Sequence, residues 1–228
     1  MRLLSLATSA VLAAAAFATT AQASGASVAY LGLRGSVVDP QDGETTSGLI
    51  NYNESYKTGF AAALFVGWVL DENFRLEAEA GYRSTDLDSI HVTRNTFDNT
   101  SVGLDVPISG HAQADTFMAN LYYDIHFLGD IGVLPWIGVG IGGAYIDYAA
   151  SGDINANLVT TLSAKDHTSA FAYQLMAGIT APLADGISGS LGYRFFQTQD
   201  FNYVDDFGLS FQTKLSQQSI DIGLQFHI

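Results

Sequence analysis

Four charged side chains recur at alternate positions in one short stretch: Arg75, Glu77, Glu79 and Arg83, with Gly81 completing the series. Such a row can form ion pairs, or it can line a charged path for ions. Which it does depends on what holds it. The intervening residues are Phe74, Leu76, Ala78, Ala80 and Tyr82. A period of two is that of a β-strand, whose successive side chains point to opposite faces. Four charges on one face rule out an ordinary sandwich interior there, while the other face is wholly apolar. A closed membrane barrel wants this as a repeated unit, apolar outside and polar inside.

The same parity assigns an inward polar set along the whole chain. It comprises Arg34, Arg75, Glu77, Glu79, Arg83, Asp124, Arg194 and Asp221, beside Asn120, His126, Gln174, Gln225 and His227. Eight strands enclose an interior only wide enough for side chains to fill. Opposite charges packed there should pair, because a buried unpaired charge is very costly. The expectation is a plugged interior holding a network of Arg34, Arg75, Glu77, Glu79, Arg83, Asn120, Asp124, Arg194 and Asp221. The competing reading is a narrow or gated channel lined by the same charges.

Eight alternating segments must position that network. The first spans about Ser27 to Val38 and the second about Thr58 to Leu70. The third is the stretch from Phe74 to Arg83, the fourth about Gln113 to Phe127, and the fifth about Leu134 to Tyr148. The sixth covers about Ala170 to Leu183, the seventh Ile187 to Phe196, and the eighth ends the chain. Gly138, Gly140 and Gly142 point inward on the fifth, leaving lumen space or admitting large neighbours. Three connections are tight: Asp71 to Asn73, Gly129 to Gly132 and Ala184 to Gly186. Four are long and polar: about Asp39 to Lys57, Ser84 to Ala112, Ala149 to Thr168 and Gln197 to Leu215. Long alternating with short is the pattern of an outer-membrane barrel, with periplasmic turns and outside loops. The outward aromatics cluster toward strand ends, where an interfacial girdle would lie. A soluble lipocalin-like barrel or a β-sandwich would instead turn its apolar face inward. Alternation alone does not say which face is out. The size of the apolar face and the two ends of the chain argue for a membrane.

The N-terminus reads as a signal peptide over residues 1–23. Arg2 supplies the positive charge, Leu3 to Phe17 the apolar core, and Ala21-Gln22-Ala23 the cleavage site. Cleavage between Ala23 and Ser24 would leave a single barrel domain, residues 24–228. The apolar run is too short for a membrane helix, and no other stretch qualifies. The chain has no cysteine, so no lipoprotein anchor and no disulfide is expected. At the other end, Ile220, Ile222, Leu224, Phe226 and Ile228 alternate with Asp221, Gly223, Gln225 and His227. Barrel-assembly substrates usually end on such a strand, most often with a terminal Phe; here Phe226 sits two places early.

The formal net charge is −14. Many acids fall in the expected loops: Asp39, Asp42, Glu44, Glu54, Asp86, Asp88, Asp98, Asp105, Asp153, Asp166, Asp200, Asp205 and Asp206. Nucleic acid and anionic substrates are poor partners for such a surface. Solvated loop charge is the plain reading; bridging of lipopolysaccharide phosphates by divalent cations is the sharper one, but no loop carries an ordered calcium pattern. The histidines His91, His111, His126, His167 and His227 show no ligand spacing, so no metal site is expected. No phosphate loop or nucleophile elbow appears, and Gly138 to Gly143 precede no helix, so no cofactor is expected. His167-Thr168-Ser169 puts a His and a Ser on one outward face at the rim. Barrel-embedded lipid A deacylases use a lipid-facing His and Ser with an acid, but no acidic partner on a neighbouring strand is evident. The expectation is therefore no catalytic residue.

The runs Phe117-Met118-Ala119-Asn120-Leu121-Tyr122-Tyr123-Asp124, Trp136 to Gly142, Phe171-Ala172-Tyr173-Gln174 and Gly192-Tyr193-Arg194-Phe195 carry a resemblance. The chain resembles the small outer-membrane β-barrel family, the OmpA-like group that includes alphaproteobacterial surface antigens and porin-family proteins. The resemblance implies eight antiparallel strands in an up-and-down transmembrane barrel, a Gram-negative outer membrane and surface-exposed variable loops. It brings no catalytic residues. OmpA-like proteins often carry a peptidoglycan-binding domain after the barrel; here the chain stops at the eighth strand, so no tether to the cell wall is expected. The expected partners are outer-membrane lipid and lipopolysaccharide, the assembly machinery during biogenesis, and an extracellular ligand of unknown identity. A closed barrel has no edge strand that demands a partner, so a monomer is expected.

Overall fold

A computed structural model describes residues 29–41, 43–46, 50–95, 100–126, 132–153, 161–204 and 210–228. The signal peptide with its Ala23–Ser24 junction, most of the turn at 129–132, Phe127, and the loop acids Asp42, Asp98, Asp205 and Asp206 lie outside them. Twelve strands are described: β1 (Ala29–Pro40), β2 (Gly43–Thr46), β3 (Ile50–Tyr56), β4 (Gly59–Val69), β5 (Phe74–Asn95) and β6 (Thr100–Asp124), then β7 (Leu134–Asp153), β8 (Thr161–Ala184), β9 (Ile187–Thr198), β10 (Phe201–Val204), β11 (Ser210–Thr213) and β12 (Ser216–His227).

Eight of them close on themselves. The sheet runs β5-β4-β1-β12-β9-β8-β7-β6, and pairing of β5 with β6 shuts the ring. Every neighbour pair is antiparallel. This is an eight-stranded up-and-down barrel, in which no barrel strand is left as an edge. The chain reverses tightly at one end. Asp71 Oδ1 accepts hydrogen bonds from the backbone N–H of Asn73 and Phe74, both at 2.8 Å, the turn an Asp at that position favours. At the other tight hairpin Gly186 sits at φ 72°, which a residue without Cβ adopts freely.

The opposite end departs from expectation. In place of the loops expected at about Ser84 to Ala112 and Ala149 to Thr168, β5 runs on to Asn95, β6 begins at Thr100, β7 reaches Asp153 and β8 starts at Thr161. In the other two long connections the wall continues: β3 pairs with the upper part of β5, β2 with β3, β11 with β2, and β10 with β11. The physical reason lies in the facing. Beyond the apolar belt the described outward residues, such as Asp86, Asp88, Asp115 and Asp147, are polar, so an outward-apolar pattern marks no strand there. On β5 the exposed positions are now Asp86 and Asp88, while Leu87 is buried.

That inversion gives the molecule two interiors. Toward the turns, the outer face exposes Leu31, Leu33, Leu76, Leu121, Ile137, Val139, Ile141, Leu175, Leu191 and Ile222, and the inner face is charged. Toward the loops, the inner face is an apolar core of Leu87, Ala112, Ala114, Met118, Ala144, Ile146, Tyr148, Ala172, Phe196, Phe201 and Leu215.

Candidate functional site

The inward residues of β1, β5, β6, β8, β9 and β12 meet below that apolar core. Arg34, Arg75, Glu77, Glu79, Arg83, Asn120, Asp124, Arg194 and Asp221 are all inside the barrel, each no more than 8% exposed. Strand parity puts them there; only closure makes them touch.

Glu79 is the hub. It accepts from Arg194 at 2.7 and 3.2 Å, from Arg34, and from Asn120 Nδ2 at 3.4 Å. Arg194 also donates to Asp221 at 2.8 Å and to Gln174 Oε1 at 2.8 Å. Gln174 in turn donates to Asn120 at 2.7 Å, and Ser219 donates to Asp221 at 2.8 Å. Nearer the turns, Arg75 grips Asp124 with two hydrogen bonds of 2.7 and 2.8 Å. The Tyr30 hydroxyl donates to Glu77 at 2.8 Å and accepts from Arg75 at 3.1 Å. Arg34 bridges the two groups through Glu77 at 3.4 Å. Charge-assisted bonds of this kind are the strong ones, and the bidentate pair adds geometric specificity.

Aromatic faces seal the cations. Arg34 lies 4.5 Å from the Phe65 ring centroid, Arg75 5.0 Å from Tyr122, and Arg83 4.2 Å from Phe196. Small residues make the fit. A Cβ on Gly140 would stand 2.1 Å from Asn120 Oδ1, and one on Gly67 would stand 2.2 Å from the Tyr30 ring. The inward glycines of β7 thus admit large neighbours and leave little lumen.

Two inward assignments are corrected. His126 lies two residues beyond the end of β6 and is exposed, with its ring Nδ1 3.3 Å from Asn73 Nδ2. His227 is also exposed at the turn end, 3.1 Å from Ser188 Oγ. Both sit where the strand runs out, so parity no longer implies enclosure. Sequence reading also missed a contact outside the barrel. Asp147 on β7 lies opposite His167 on β8, with Oδ1 3.4 Å from Nδ1, and the Tyr145 ring stacks on the imidazole. An acid therefore stands beside the His of the His-x-Ser pair. Among the described residues no group of three or more His, Asp or Glu could hold a metal ion.

A family described as outer membrane protein beta-barrel domain has a model that matches residues 6–226. Uncharacterized proteins of Brucella abortus (strain 2308) and Brucella melitensis biotype 1 are each 28% identical over 164 residues, which is 67% of this chain and 56% of theirs. The chain thus spans little more than half the length of these relatives. Among solved structures, the outer membrane protein OprG from Pseudomonas aeruginosa aligns with a TM-score of 0.58 at 9% identity, covering 89% of this chain and 98% of that one. The outer membrane protease OmpT from Escherichia coli aligns at 0.52 and 6% identity, covering 90% and 98%. At such identities the likeness is one of fold.

Proposed function

The chain belongs to the outer membrane protein beta-barrel domain family, and from that premise we propose a non-catalytic, integral protein of the Gram-negative outer membrane whose role is structural and interfacial. The tight turns face the periplasm. The long hairpins stand outside the cell and present acidic residues such as Asp86, Asp88, Asp115 and Asp147 to lipopolysaccharide, or to an extracellular ligand.

One observation carries the reading. Three interior arginines, Arg34, Arg75 and Arg194, are hydrogen-bonded to the interior carboxylates Glu77, Glu79, Asp124 and Asp221, and all seven are buried. Charges held in mutual hydrogen bonds and capped by the apolar core form a plug and leave no hydrated path, as an interior of eight strands favours. Planar-bilayer recording on the purified, refolded protein tests this. A silent bilayer is expected, with folding established by heat-modifiable gel mobility. Reproducible discrete conductance steps would instead make the charged interior a narrow channel.

A further inference from the structure

Arg83 differs from the other interior arginines. Arg34, Arg75 and Arg194 each have carboxylate oxygens within 4.0 Å. Among the described residues Arg83 has none, although it is only 5% exposed. Its contacts are the Phe196 ring and one long hydrogen bond, 3.4 Å, to Gln217 Oε1. The amide nitrogen of that same Gln217 is buried with no hydrogen-bond partner. A guanidinium has five N–H donors, and burying donors without acceptors is costly. The upper edge of the network therefore has a surplus of donors and a deficit of acceptors.

A small cavity lies at this edge, lined by Arg34, Arg83 and Arg194 with Glu79, Thr116 and Gly81. Glu79 is already committed to Arg34, Arg194 and Asn120. Gly81 keeps the space open, since a Cβ there would stand 2.8 Å from Thr116 Oγ1. The charges are also unevenly layered. Arg75 with Glu77 and Asp124 leaves one negative charge toward the turns. Arg34 and Arg194 balance Glu79 and Asp221. Arg83 is left as one positive charge beneath the apolar core.

We propose that this cavity is a binding site for one small monovalent anion of the size class of chloride, held chiefly by Arg83. Such an ion supplies the missing acceptor and neutralises the charge locally. Water would supply only the acceptor.

Bromide is the probe. Crystals of the refolded protein soaked in sodium bromide should show an anomalous peak against the Arg83 guanidinium. The peak should vanish in Arg83→Gln and in Ala63→Leu, which fills the cavity from its β4 wall and leaves the arginine in place. Absence of a peak in the wild type overturns the site. So does a peak that survives in a folded variant, which would be an adventitious ion only. A second readout needs no crystal. An ion that binds only the folded state raises Tm with its concentration. Melting should therefore rise with sodium chloride relative to sodium gluconate at equal ionic strength, and an identical Tm in the two salts overturns the proposal.

Discussion

On β7, Val139 faces outward beside an inward Gly140; a few residues on, Asp147 faces outward and Ile146 inward. The strand is continuous and its alternation unbroken. Only the sense of the alternation flips. Below the flip the wall separates lipid from a charged interior; above it the wall separates water from an apolar one. In each half the outer face matches the solvent it meets, and the inner face takes what remains. Toward the turns, cohesion inside comes from hydrogen-bonded charge, because the apolar side chains are committed to the belt. Toward the loops it comes from apolar packing, as in a soluble barrel.

The largest effect is expected at Glu79. Removing one partner of a buried ion network strands the others, at about 3–5 kcal/mol. Glu79→Ala should therefore lower the unfolding free energy in urea by that order, whereas Asp88→Ala on the exposed hairpin should leave it almost unchanged. Equal, negligible losses would mean that the lower interior is not held by its charges.

The outer faces give the next effect. Val139→Arg puts a charge at mid-belt, at about 2–4 kcal/mol if lipid surrounds it. Asp147→Arg, above the belt, should stay within about 0.5 kcal/mol. Unfolding from lipid vesicles measures both, and similar costs would place the membrane boundary elsewhere.

The smallest effect concerns Asp115, which sits above the belt opposite Tyr145. Partial burial, with the charge of Asp147 nearby, holds its carboxyl above the usual range. A raised carboxyl favours the folded state at low pH and loses that advantage as pH rises through its folded value. Asp115→Asn should thus raise Tm slightly near neutral pH, with the gain fading in acid. A gain independent of pH would remove charge as its cause.

Much of the lower half was legible in the chain. Period-two alternation is a local property of the extended backbone, so Arg75, Glu77, Glu79 and Arg83 share a face whatever surrounds them. The upper half was not legible as strand. Residues such as Asp86, Leu87 and Asp88 still alternate, but with polar side chains outward, and a search for an apolar outer face reads them as loop. The histidines at 126 and 227 show the converse limit: parity persists past a strand end, but enclosure does not.

The sequence by itself determined which residues share a face, and where the chain reverses tightly at Asp71 to Asn73 and Ala184 to Gly186. Both follow from backbone geometry over a few residues. Tertiary structure alone decided the partners. Glu79 meets Arg194 across 115 positions of chain, Asp147 comes to lie beside His167, and Arg83 has no carboxylate within 4.0 Å among the described residues. Those meetings depend on the register of each strand pair and on the closure of β5 against β6. Register and closure are fixed by the whole ring at once, and no single strand encodes them.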